Sequence, residues 1–192
     1  MTTQKETNIM FEQFKARAEG VGAEVHRFED KGGGLDFILS FLQKEGVADA
    51  HGSHAVWADC PFLKGMDPKP LAEVAGLRFD VSREAAVGSR IGITQAEWAL
   101  ADTGTLVQDQ TAVEQRLASS LTDIHIAIVP TDGILPDKVA LLARINPRTC
   151  RYIAFITGPS RTADIERVLT IGVHGPERLI IVCVDDMGEV AL

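Results

Sequence analysis

The chain has 192 residues, enough to bury a core without disulfide or metal staples and short enough for one domain. Apolar residues make up 45% and charged residues 24%, the balance of a soluble globular protein. The net charge is −8 and there is no basic run, which excludes an electrostatic nucleic-acid footprint.

Cys60, Cys150 and Cys183 stand far apart and no CxxC occurs. Spacing therefore offers no zinc or iron–sulfur cage, and neither metal nor cofactor is expected. The opening MTTQKETNIM lacks an apolar h-region, so no signal peptide is expected. No apolar stretch reaches membrane-spanning length, and the cytoplasm is the default location.

Residues 1–7 are polar and expected to fray, which leaves one α/β domain over residues 8–192. Asn8 can cap a helix through Glu19, with Phe11, Phe14 and Ala18 on one face. Ala23–Phe28 reads as a strand and Lys31–Gly34 as a glycine-rich turn, with no Lys-Ser/Thr to make it a phosphate loop. Leu35, Ile38, Leu39 and Leu42 repeat at helical spacing up to Gly46. Ala55–Ala58 reads as a brief strand, with His51 and His54 on the surface beside it. Two histidines three apart in a loop make a poor metal site.

Cys60–Pro70 carries three prolines and reads as a loop; a short helix over Leu71–Ala75, a strand over Leu77–Val81 and a helix capped by Ser82 follow. Ala96–Ala101 and Thr105–Val107 flank Asp102-Thr103-Gly104, a tight hairpin in which Gly104 takes positive φ. Gln110–Ser120 is partly helical. Three apolar runs then alternate with helices: Ile124–Val129, a helix from Pro136 with Val139, Leu142 and Ala143 inward, Tyr152–Ile156, a helix from Thr162 to Ile171, and Leu179–Val184. Unalternating runs of this kind indicate parallel strands buried on both faces, so the last half reads as a βαβαβ unit.

The stretch IAFITGPSRTADIE, Ile153–Glu166, gathers the candidate chemistry. A strand ending at Thr157, a bend at Gly158-Pro159-Ser160 and a helix opening at Thr162 would aim free amides at an anion. Arg161 adds a planar cation. An ordinary βα loop with a capping Ser160 or Thr162 explains the same residues. Asp164 and Glu166 suit a helix dipole but would repel a bare phosphate. In a parallel sheet this loop and Pro130–Gly133 belong at the carboxyl edge, where ligands gather. By the same topology GVHGP, Gly172–Pro176, belongs at the opposite edge, so His174 and Gly175 read as structural or partner-contact residues. No Ser-His-Asp order, HExxH or Walker pattern is present, and the bare residues name no reaction.

GITQAEWALADTGTLV (Gly92–Val107), Arg116 with Ile124–Val129, and TGPSRTADIERVLTIGVHGPERLIIV (Thr157–Val182) resemble the lactate-utilisation protein C family, built on the LUD domain. Ser120-Leu121-Thr122-Asp123 departs from a Leu-Pro stretch common there. The resemblance implies a single Rossmann-like α/β domain of the NagB/RpiA/CoA-transferase-like kind: a mainly parallel sheet, flanking helices and a β-hairpin. It implies a subunit without its own cluster, acting with iron–sulfur oxidoreductase subunits that oxidise L-lactate to pyruvate. On this reading Gly158, Pro159, Ser160, Arg161, Thr162 and Asp164 hold a small anionic ligand. Thr103, Gly104 and Thr105 shape the opposite wall and Arg116 reaches in. Two alternatives stand beside it. One is a stand-alone CoA-transferase or cyclo-ligase enzyme using Asp102 or Glu97, by fold analogy. The other is a non-catalytic regulatory subunit docking through His174 and Gly175.

Overall fold

The computed structural model describes residues 4–146, 148–163, 169–171 and 174–188. Helix α1 (Gln4–Gly20) starts ahead of Asn8 and leads into β1 (Glu24–Asp30). Asp30 caps α2 (Lys31–Lys44), its carboxylate accepting the Gly33 amide at 2.8 Å. The expected glycine turn is therefore the first turn of this helix. A Cβ on Gly34 would lie 3.2 Å from Val184 Cγ2, so the missing side chain lets α2 approach the sheet closely.

Next come β2 (His54–Trp57), α3 (Pro68–Ala72), β3 (Leu77–Arg78), α4 (Arg83–Val87) capped by Ser82, and β4 (Ser89–Gln95). The hairpin β5 (Trp98–Leu100) and β6 (Thr105–Asp109), helix α5 (Val113–Ser120) and β7 (Ile124–Pro130) follow. The remainder holds β8 (Ile134–Leu135), α6 (Lys138–Leu142), β9 (Ile153–Ile156), β10 (Arg161–Ala163), β11 (Leu169–Ile171) and β12 (Arg178–Asp186).

Among the described residues six parallel strands form the main sheet, in the order β1-β12-β7-β4-β2-β3. Side chains alternate across it. Ile126, Ile128, Ile180 and Val182 pack under α2 with Trp57, Ile91 and Ile93. Ala127, Val129, Ile181 and Cys183 face α1 and the second sheet. That sheet, β8-β5-β6-β9, pairs β5 with β6 and β6 with β9 antiparallel, and α6 packs on its outer face through Leu141. The architecture is the Rossmann-like α/β domain with a hairpin that the sequence led us to expect.

Four local expectations change. Tyr152–Ile156 does not enter the parallel sheet; β9 is an edge strand against β6, with Phe155 47% exposed. The expected βαβαβ unit is therefore broken, and β7 and β12 are direct neighbours. The expected helix from Thr162 is absent at its described ends, where β10 and β11 pair antiparallel. Helix α6 turns Val139 and Leu142 outward, 77% and 68% exposed, and buries Leu141 instead. His54, expected on the surface, is buried at the start of β2, while His51 is exposed.

Candidate functional site

A cavity of about 290 Å³ opens where the amino ends of β7 and β12, the end of α5 and the inner side of β9 meet. Thr157–Ser160 and His174–Pro176 form its mouth. The loop at Gly158 was expected at the carboxyl edge of the parallel sheet and His174 at the opposite one. Both lie at the amino edge, because β9 has left the parallel sheet and runs antiparallel to β6. Pro130–Gly133, at the carboxyl end of β7, is consequently remote from this loop.

The two loops are clipped together. The Ser160 amide donates to the Pro176 carbonyl at 2.8 Å. Gly175 lies so close that a Cβ there would sit 3.1 Å from Ser160 Cβ and 3.3 Å from its Oγ. Gly158 has φ +72° and is buried, and a Cβ would meet the Val21 carbonyl oxygen at 2.6 Å. Glycine is required there on two counts, handedness and space. Pro159, also buried, completes the bend.

The cations predicted for the site point elsewhere. Arg161 is exposed and its guanidinium donates to the Val21 carbonyl, tying the loop to the turn after α1. The Arg116 guanidinium donates to the Gln110 carbonyl, with its Cζ 5.0 Å from the centre of the Tyr152 ring. Arg161–Ala163 belong to β10, so Thr162 does not open a helix there; Asp164 lies outside the described residues. The hairpin tip does approach the loop. Thr105 Oγ1 bonds Thr157 Oγ1 and Thr103 Oγ1, each at 2.8 Å, and Thr103 Oγ1 donates to exposed Asp102 at 3.2 Å. Thr103 and Thr105 thus brace the mouth through Thr157 and do not themselves line the cavity.

The cavity's inner wall was not anticipated. It holds His125, Gln110, Ser119 and Ser120. His125 is 1% exposed, and its Nε2 bonds Thr94 Oγ1 at 2.8 Å. Burial pushes its pKa down to about 4, so the ring is neutral at pH 7. The signal was a lone histidine inside the apolar run of β7, with Thr94 of the neighbouring β4 as its partner. Thr94→Val removes the ring's one described partner. It should cost about 1–3 kcal/mol in chemical denaturation.

Gln110 heads a ladder of side-chain amides, buried at Gln108 and Gln110 and half-buried at Gln115. Its Nε2 donates to Gln108 Oε1 at 2.9 Å and to Ser119 Oγ at 2.8 Å. Gln108 Nε2 donates to Gln115 Oε1 at 2.9 Å, and Gln115 Nε2 to the Asp59 carbonyl at 2.9 Å. Gly92 lets α5 lie against β4, since a Cβ would fall 1.9 Å from the Ala118 carbonyl oxygen.

Glu97 sits away from the cavity, at the joint between β4 and β5. Its Oε2 accepts the Asp109 amide at 2.6 Å. Burial raises its pKa to about 7, and the Asp109 carboxylate adds to the rise. Asp102, the other acidic candidate, is exposed at the hairpin tip. Among the described residues no three His, Cys, Asp or Glu side chains gather to hold a metal, and no helix is long and apolar enough to cross a membrane.

Comparison with known proteins connects this geometry to a family. A chain described as a DUF162 family protein from Deinococcus radiodurans superposes with a TM-score of 0.62 at 20% identity, covering 93% of this chain and 98% of that one. "Lactate utilization protein C" of an Exiguobacterium species is 40% identical over 114 residues, 56% of this chain and 50% of that protein. The protein of the same name from Halalkalibacterium halodurans is 38% identical over 109 residues, 54% and 47% of the two chains. The chain thus matches about half the length of these curated relatives. The LUD domain model matches residues 11–184, a span holding both clipped loops, the hairpin and the six strands of the main sheet except the last two residues of β12, and the chain belongs to the LUD domain family.

Proposed function

We propose that this protein is a component of a system oxidising L-lactate to pyruvate. In this reading it binds a small anionic ligand in the cavity at the amino edge, carries no iron–sulfur cluster, and works with iron–sulfur oxidoreductase subunits. The observation that carries the reading is the clip between Ser160 and the Pro176 carbonyl. It brings the TGPS and VHGP loops, 16 residues apart at that bond, to one cavity of mixed polar and apolar lining. Relatives that match a little over half of this chain bear the name of lactate utilisation.

The hydroxyls of Ser120 and Ser160 would bond a carboxylate and its neighbouring oxygen, while Gln110 and Ser119, whose hydrogens are spent on Gln108, Ser119 and the Arg116 carbonyl, would hold the wall. His174 stands at the rim. Arg116 and Arg161 would act by fixing the wall rather than by touching the ligand. The test is thermal stabilisation by millimolar lactate, pyruvate and related 2-oxo acids, compared with Ser160→Ala. We expect wild-type stabilisation and about a tenfold affinity loss in the variant, the worth of one charge-assisted hydrogen bond. Absence of stabilisation by every acid in the wild type would overturn the binding role.

A second reading is favoured by Glu97, whose carboxyl holds its proton to about pH 7 at the end of β4. A stand-alone acyl-transfer enzyme could use such a group. Turnover of acyl-CoA or folate substrates by the isolated chain, abolished by Glu97→Gln, would support it; unchanged turnover in that variant would remove it.

A further inference from the structure

The chain's charge is unevenly placed. Residues 138–163 contain Lys138, Arg144, Arg148, Arg151 and Arg161 and no Asp or Glu, in a protein of net charge −8. The segment runs from α6 on the outer face of the second sheet through β9, that sheet's edge strand, to the Gly158 bend and β10. The ion pairs among the described residues use Lys15, Arg27, His54, Arg78, Arg90 and Arg178. Lys138, Arg144, Arg148 and Arg151 are in none of them.

The same segment displays apolar side chains. Val139 and Leu142 face outward from α6, and Phe155 and Tyr152 are about half exposed. The aromatic pair is already flanked by cations: Lys138 Nζ lies 5.3 Å from the Phe155 ring centre and Arg116 Cζ 5.0 Å from that of Tyr152. Such pairs fix ring and charge in one orientation. Strand β9 is an edge of its sheet, and no strand covers its other side among the described residues. Exposed aliphatic and aromatic side chains on a segment whose cations enter no described ion pair, with Asp137 the acidic cap at its start, are the composition of a binding face.

We infer that this outer face docks an acidic protein surface with an apolar centre. In the setting proposed above, that surface belongs to a cluster-bearing subunit of the lactate-oxidising system, and to that extent the inference rests on that reading. Charge complementarity selects the occupant. A second copy meeting this face with the same face would bring one cationic segment against another, which is repulsive. An anionic lipid surface would satisfy the cations but supplies no strand for the edge of β9, whereas a protein does both.

The test measures binding of the full chain to co-expressed iron–sulfur subunits of the system at about 50 and 300 mM salt. The variants are Arg148→Glu/Arg151→Glu and, separately, Leu142→Ser, which touches only an exposed side chain. We expect about tenfold or greater weakening in each variant, and loss of wild-type affinity at the higher salt. Binding that both variants retain overturns the inference and leaves the lactate reading standing. No binding by the unchanged chain at low salt overturns both. Sedimentation with phosphatidylserine vesicles, or a dimer that Leu142→Ser dissolves, would assign the face to a membrane or to a second copy and overturn the acidic-protein occupant.

Discussion

At about pH 8 Glu97→Gln should stabilise the protein by up to about 3 kcal/mol, or roughly 6–10 °C in Tm for a chain of this size. The folded carboxyl keeps its proton to about pH 7, while the unfolded one releases it near 4.5. Its contribution is therefore fully present below pH 4.5 and is lost as pH rises through about 7. Above that, folding forces a second carboxylate beside Asp109. Glutamine removes the charge while its amide oxygen still accepts the Asp109 amide now held at 2.6 Å.

His125 works in the other direction. Its folded pKa is lowered to about 4 from 6.5, so its stability is present above pH 6.5 and is lost as pH falls through about 4. Together the two groups place maximum wild-type stability at about pH 5–6. Urea unfolding across pH would show this maximum as a plateau, and Glu97→Gln should abolish the alkaline fall and leave stability rising to about pH 6.5. An unchanged alkaline limb in the variant would disprove the assignment to Glu97.

Gly104→Ala should cost about 2–4 kcal/mol. Two causes add: φ of +68° is left-handed backbone, worth about 1–2 kcal/mol against a Cβ, and the new methyl would fall 2.3 Å from the Ala18 amide nitrogen of α1. The hairpin tip would have to lift from α1, taking the Thr105–Thr157 contact with it. Gly46→Ala is the control. Its φ is +73° with nothing within 4 Å of a Cβ, so only the backbone cost of about 1 kcal/mol applies. Equal losses in the two variants, read by urea midpoint, would show that the close approach to α1 contributes nothing.

The hairpin illustrates how far local chemistry reaches. Asp102-Thr103-Gly104 between two apolar runs dictated its turn and the sign of φ at Gly104, because few residues satisfy that geometry. Ser82 before its helix and the isoleucines of β7 were legible for the same reason. Misreadings arose where local signals conflicted with assembly. Val139 and Leu142 have helical spacing, yet a helix of five residues has one face to bury and gave it to Leu141. Glycines at 32–34 read as a turn because glycine disfavours helices, but the Asp30 cap and the tight packing of Gly34 on Val184 outweigh that preference.

Sequence alone determined the composition of the mouth: Gly158, Ser160 and His174 were all singled out from turn chemistry and from motifs. Only the tertiary structure decided which edge of the sheet they occupy, that they meet, and that His125 and Gln110 close the cavity beneath them. The physical reason lies in β9. An apolar run of four residues carries no information about which strand it will pair with, since side-chain period is the same in parallel and antiparallel ladders. Its choice of β6 over β7 reverses its direction, carries the Gly158 bend from one edge of the main sheet to the other, and leaves an outward face that periodicity in this chain could not announce.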